Sequence, residues 1–229
     1  MPDPLNPSRD HAIFACSSLL YVPGSRPDRF AKAKAAGAGL TVIDIEDAVP
    51  LEDKQTARDA ALAQDGIGEA GWGIRINPVS SAAGIADLAA FACADVLPGH
   101  VLLPKAEEAR DIEIVRAALG DQCPPVIAMI ETPRGLRNAL AIASEDGVCA
   151  LMFGGGDFAA ELGVQMGWEP LLGARQQLVL AGAEAKVPLI DVPHLHLDDA
   201  AALAAECAGA KALGFVATVS YTHLTLPTS

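Results

Sequence analysis

The chain has 229 residues, a formal net charge of -13 and an apolar fraction of 51%, with a mean hydropathy of +0.30. That is length and apolar side chain enough for one large domain, a single α/β barrel included, or two small ones, and the acidic balance excludes the clustered positive potential of a nucleic-acid surface. No run approaches the roughly 18 uninterrupted apolar residues of a membrane-spanning helix, and five scattered cysteines without a CxxC pair fit free thiols in the cytoplasm or an organelle matrix.

In chain order, a polar leader with three prolines gives way to a first strand over Ser18 to Pro23. Gly24 turns the chain, and a helix opens with Ser25 as N-cap and Pro27 in its first turn, running to about Ala36. The helix is basic, and Arg26 at its start is a candidate for meeting an anionic group such as a phosphate. Leu40 to Ala48 reads as strand two, with Asp44 and Glu46 on one face and Asp47 on the other because strand side chains alternate. A helix over Leu51 to Ala63 follows, with Lys54 and Arg58 placed to pair with nearby acids. Trp72 to Pro78 is strand three, in which Arg75 shares a face with Asn77; an arginine between Ile74 and Ile76 costs desolvation unless it meets an acid or a substrate carboxylate.

A third helix spans about Ala82 to Ala94, His100 to Lys105 is strand four, and Glu107 to Leu119 is helix four. Pro124 to Thr132 is strand five, Arg134 to Ser144 helix five and Cys149 to Phe153 strand six. Polar residues at strand tips fall at Asn77, Lys105, Glu131 and Asp157, in steps of 28, 26 and 26, the beat of a repeated βα unit. Glu131 ends an apolar run where folding alone does not explain a carboxylate, and Asp157 repeats the plan one unit later. If their strands are neighbours in a parallel sheet, both acids reach one edge and can share a hard divalent cation. Gly154 to Gly156 match neither a P-loop nor GxGxxG, and are expected to form a bend that lets a ligand come close.

Leu171 to Ala185 is helix six, Val187 to Val192 strand seven, Asp198 to Ala208 helix seven, and strand eight lies within Lys211 to Val219. His194 and His196 lack a third nearby ligand and read as loop residues rather than a zinc pair. Ser220 to Ser229, SYTHLTLPTS, has neither helical nor strand logic. The expected organisation is one domain over 1–219, truncated after strand eight, with 220–229 a non-native tail.

The ordered set YVPGSRPDRF, VIDIEDAV, IRINP, LLPK, IETPRG and FGGGDFAAELG resembles the HpcH/HpaI aldolase and citrate lyase superfamily, within it the citrate lyase β-subunit-like acyl-CoA lyases. The resemblance covers about Ser18 to Phe215 and implies a (β/α)8 TIM barrel with its site at the C-terminal ends of the strands. It implies Mg2+ held at Glu131 and Asp157, and an arginine, Arg75, that binds substrate and steadies a developing enolate. Asp44 and Glu46 match acids that position water or the arginine, Arg26 matches the stretch that meets coenzyme A, and Lys105 matches a strand-end lysine. It also implies a homotrimer or higher homo-oligomer, and a C-terminal segment after strand eight that supplies an acidic catalytic group. Without that segment the expectation is Mg2+ binding with poor turnover.

The implied reaction cleaves a 3-hydroxyacyl-CoA (citryl-, malyl- or citramalyl-CoA-like) to an acyl-CoA and a 2-oxo acid, or runs in reverse. A base removes the hydroxyl proton while charge moves onto the thioester oxygen, where Arg75 adds fixed positive charge. Two other readings stay open: a CoA-independent, metal-dependent aldolase on a 2-oxo acid, and a non-catalytic binding or assembly subunit.

Overall fold

The computed structural model describes residues 16–191 and 199–221. Eight parallel strands close into a barrel in chain order: β1 (Ser18–Pro23), β2 (Leu40–Asp44), β3 (Trp72–Arg75), β4 (His100–Leu103), β5 (Val126–Ile130), β6 (Val148–Phe153), β7 (Leu189–Asp191) and β8 (Ala217–Tyr221), with β8 pairing back onto β1. The connections carry α1 (Phe30–Ala35), α2 (Lys54–Leu62), α3 (Ala82–Ala92), α4 (Ala109–Leu119), α5 (Pro133–Arg137), α6 (Ala139–Ser144), α7 (Gly155–Leu162), α8 (Trp168–Ala185) and α9 (Ala200–Leu213). Among these helices none is long and apolar enough to cross a membrane.

Strands covered on both sides read as unbroken apolar runs, and β5 and β6 are buried at every position. Alternation along the strands divides their side chains between two cores. Leu19, Tyr21, Leu40, Val42, Ile127, Met129 and Met152 fill the barrel interior, while Leu20, Val22, Ile43, Ile74, Ala128, Ile130 and Phe153 pack outward against helix residues such as Phe91, Ile112 and Leu178. The same period decides where the polar residues go. Asp44, Arg75, Glu131 and Gly154 are the next inward positions at the C-terminal ends of β2, β3, β5 and β6, so they meet at one mouth of the barrel.

Several strands stop short of their expected ends, each for a local reason. Asp44 accepts hydrogen bonds from the N–H groups of Glu46 and Ala48, which turns the chain out of the sheet. Glu46 therefore lies beyond the strand, and Asp47 does not face away from it: both carboxylates lie near Arg75. Arg75 and Asn77 do not share a face, because the Asn77 side chain donates to Ile45 O and to Asp87. Ser25 is not the cap of its helix; the chain turns through a short 3-10 segment, Pro27–Arg29, whose N-cap position is Arg26.

Helix five is two helices, α5 and α6, parted at Asn138, whose amide donates to Glu107 O. The glycine run is the start of α7 rather than a bend. β8 runs through Tyr221, with Ser220 opposite Leu20 and Tyr221 opposite Tyr21, so the barrel continues two residues past the expected boundary at 219. His194, His196 and residues 222–229 lie outside the described residues.

One buried polar network ties the sheet to the helices beneath the mouth. Asp87 on α3 is fully buried, accepts from Arg58 Nε at 2.7 Å on α2, and takes both the N–H and the side-chain amide of Asn77. Lys54 donates to the carbonyls of Ile45 and Glu46 rather than to an acid. Removing one partner of such a pair strands a buried charge. Asp87→Ala is expected to cost about 3 to 5 kcal/mol of unfolding free energy, read from the urea midpoint.

Candidate active site

Arg75 is the most constrained side chain at the mouth. Its Nε and Nη2 bond the two oxygens of Asp44 at 2.8 and 2.6 Å, and Nη1 lies 3.0 Å from Glu46 Oε2. The guanidinium sits 5.2 Å from the centre of the Tyr21 ring. Burial opposes its charge, but the paired bonds to Asp44 more than offset that and hold its pKa above the usual arginine range. It is a permanent, aimed positive charge. Burial also pushes the Glu46 carboxyl up to about 7, against the pull of Arg75.

Glu131 emerges from β5 almost wholly buried, and its Oε1 accepts the Lys105 N–H at 2.7 Å. Burial drives its pKa up to about 8; the Lys105 N–H opposes the rise, and the charges of Asp157 and Glu46 add to it. Gly154 is needed here for a steric reason. A Cβ at that position would stand 2.3 Å from Glu131 Oε2 and 2.5 Å from its Cβ, so the glycine makes room for the carboxylate. Asp157 lies in the first turn of α7 with its side chain partly exposed. Between these acids comes Lys105, its Nζ 3.2 Å from Asp157 Oδ2 and 3.6 Å from Glu46 Oε1.

Arg75, Glu131 and Asp157 thus line one cavity, with Asp47 at its edge and Tyr21, Met129 and Met152 among its apolar walls. Asp44 and Glu46 stand behind Arg75 and orient it. Arg26 is not among the residues lining this cavity; its exposed guanidinium forms a fork with Asp28 at 2.9 Å. Sequence reasoning left Lys105 without a role and turned Asp47 away. The LLPK tip signalled the lysine, but its partners come from the turn after β2 and from α7, far away in sequence.

The donor chemistry suits a hard cation. Glu131 and Asp157 offer only oxygen, and the charges of Asp157 and Glu46 already disfavour ionised Glu131 when no cation is present. Among the described residues no three histidine, cysteine or acidic side chains form a ligand group. Two carboxylates leaving the remaining positions to water and substrate oxygens is the usual arrangement for Mg2+, which sheds its water reluctantly.

The chain is 33% identical over 212 residues to (3S)-malyl-CoA thioesterase of Cereibacter sphaeroides, covering 90% of this chain and 72% of that one. It is 29% identical to the mitochondrial citramalyl-CoA lyase of Mus musculus, covering 90% and 68%. A crystal structure of protein CitE from Mycobacterium tuberculosis in complex with magnesium, acetoacetate and coenzyme A superposes with a TM-score of 0.79 at 32% identity, over 90% of this chain and 76% of that one. The family model for HpcH/HpaI aldolase/citrate lyase matches residues 17–222, and the chain belongs to that family.

Proposed function

We propose that the protein is a Mg2+-dependent carbon–carbon lyase that cleaves a 3-hydroxyacyl-CoA to an acyl-CoA and a 2-oxo acid, or runs the condensation in reverse. The observation that carries this reading is the pinned, permanently charged Arg75 facing the same cavity as the buried Glu131 and the partly exposed Asp157. Glu131 and Asp157 would hold Mg2+, which supplies Lewis acidity and orients the oxygens of the 2-oxo acid fragment. Arg75 provides fixed charge where the thioester oxygen becomes an enolate, and Asp44 and Glu46 hold it already aimed, so that it need not reorganise as charge develops. Tyr21, Met129 and Met152 exclude water from the carbon skeleton. That a related complex holds magnesium, acetoacetate and coenzyme A supports both the metal and the ligand class.

Hydrolysis is the second reading, because one relative at 33% identity is a thioesterase. A panel of citryl-, malyl-, methylmalyl- and citramalyl-CoA, assayed with Mg2+ and with chelator, separates the readings. The expected result is chelator-sensitive release of a 2-oxo acid with no free CoA thiol. Thiol released in step with turnover would make it a hydrolase. Equal activity on a free acid in place of the thioester would make it a CoA-independent aldolase, and silence toward all of them a binding subunit.

A further inference from the structure

We propose that Lys105 is the tethered counter-cation of the metal site: its ammonium holds Asp157 and Glu46 together when no divalent ion is bound and gives way when one arrives, while its peptide N–H keeps Glu131 aimed in both states. The inference rests on the reading of Glu131 and Asp157 as cation ligands. It assigns a positioning role to a residue that the lyase chemistry above does not use.

Three observations carry it. First, Arg75 is spent on other groups, since its Nε and Nη2 bond Asp44 and its Nη1 meets Glu46. Among the ion pairs of the described residues, the cation beside Asp157 is Lys105, at 3.2 Å. Second, Lys105 holds a left-handed backbone, with φ of +50, a conformation that non-glycine residues adopt at a cost. That backbone presents the N–H to Glu131 Oε1 at 2.7 Å. Glycine would present the same N–H without the cost, so what a lysine adds here is its ammonium.

Third, the ammonium has somewhere to go. The Lys105 side chain is 40% exposed, and a second, more open cavity beside the first is lined by Lys105 together with Glu107, Thr132, Asp157 and Glu161. Asp157 borders both cavities. A divalent ion arriving at Asp157 competes with the ammonium for the same carboxylate, and the displaced lysine meets Glu107 and Glu161 in the adjoining space. The net effect is to hold the ligands in place before metal arrives, in exchange for a lower metal affinity.

Calorimetric titration of Mg2+ into the wild type, Lys105→Met, Lys105→Arg and Lys105→Gly tests this, with thermal unfolding of each in the absence of metal. Lys105→Met is expected to bind Mg2+ about tenfold more tightly, since an ion pair no longer has to be broken, and to unfold at a lower temperature without metal. Lys105→Arg should restore both wild-type values. Should Lys105→Met fail to fold, Lys105→Gly carries the same expectation for Mg2+ with the backbone relaxed. Unchanged or weaker Mg2+ binding in the neutral variants overturns the role of Lys105 while leaving the metal site standing. No Mg2+ binding by the wild type overturns both.

Discussion

Arg75→Lys is expected to lower kcat/KM by roughly 100- to 1000-fold, the usual loss when one aimed charge stabiliser is removed from a site where oxyanion character develops. The substitution conserves charge, so the size of the effect isolates geometry. Arg75 uses Nε and Nη2 on the two oxygens of Asp44 and Nη1 on Glu46, a planar fork that an ammonium cannot reproduce. The lysine variant should fold, because Asp44 and Glu46 keep a cation between them. Arg75→Met removes it, leaving the buried Asp44 without its counter-charge at a cost of about 3 to 5 kcal/mol. A lysine variant with wild-type kcat/KM on a cleaved thioester would remove Arg75 from the chemistry.

Glu131→Gln should abolish Mg2+ binding and thioester cleavage, yet make the metal-free protein more stable at alkaline pH. The sign follows from linkage. The folded-state pKa of Glu131 is raised from 4.5 to about 8, so between those values the unfolded chain gives up a proton that the folded chain keeps. Stability of the metal-free wild type therefore falls as pH rises from about 4.5 through 8, and levels above that. Glutamine keeps an acceptor oxygen for the Lys105 N–H and has no proton to lose. At pH 5 the two proteins should unfold at similar temperatures; at pH 9, without metal, the variant should unfold higher. Adding Mg2+ should raise the wild-type midpoint, and more at pH 9 than at pH 6, because protons compete with the ion for the carboxylate. A Mg2+-dependent shift of wild-type size in the variant would place the ion elsewhere.

Much of the site was legible because period-2 alternation and the βα repeat act on consecutive residues. An apolar strand ending on Glu131, and Arg75 between Ile74 and Ile76, point inward at the same end of the barrel whatever the rest of the chain does. The errors lie where a side chain diverts the backbone. Asp44 capturing the N–H groups of Glu46 and Ala48 ended β2 early and brought Asp47 round to the mouth. Asn77 turned to Ile45 and Asp87 instead of following Arg75. Neither diversion leaves a mark in hydropathy, since a polar residue near a strand end reads the same whether it faces solvent, substrate or a carbonyl.

The glycine run illustrates the division in one place. Three glycines in succession announce close approach, but to what depended on pairing: β5 and β6 are adjacent, so Gly154 lies across from Glu131 and must lack a Cβ to admit its carboxylate. Lys105 is the same case in charge. Its place at the tip of β4 was written in LLPK, whereas its partners, Glu46 and Asp157, lie 59 residues before it and 52 after it. Periodicity along one segment determined which residues reach the mouth of the barrel. Which of them touch was decided only when the ring closed, because contacts between segments far apart in the chain depend on register and on how each loop satisfies its own hydrogen bonds.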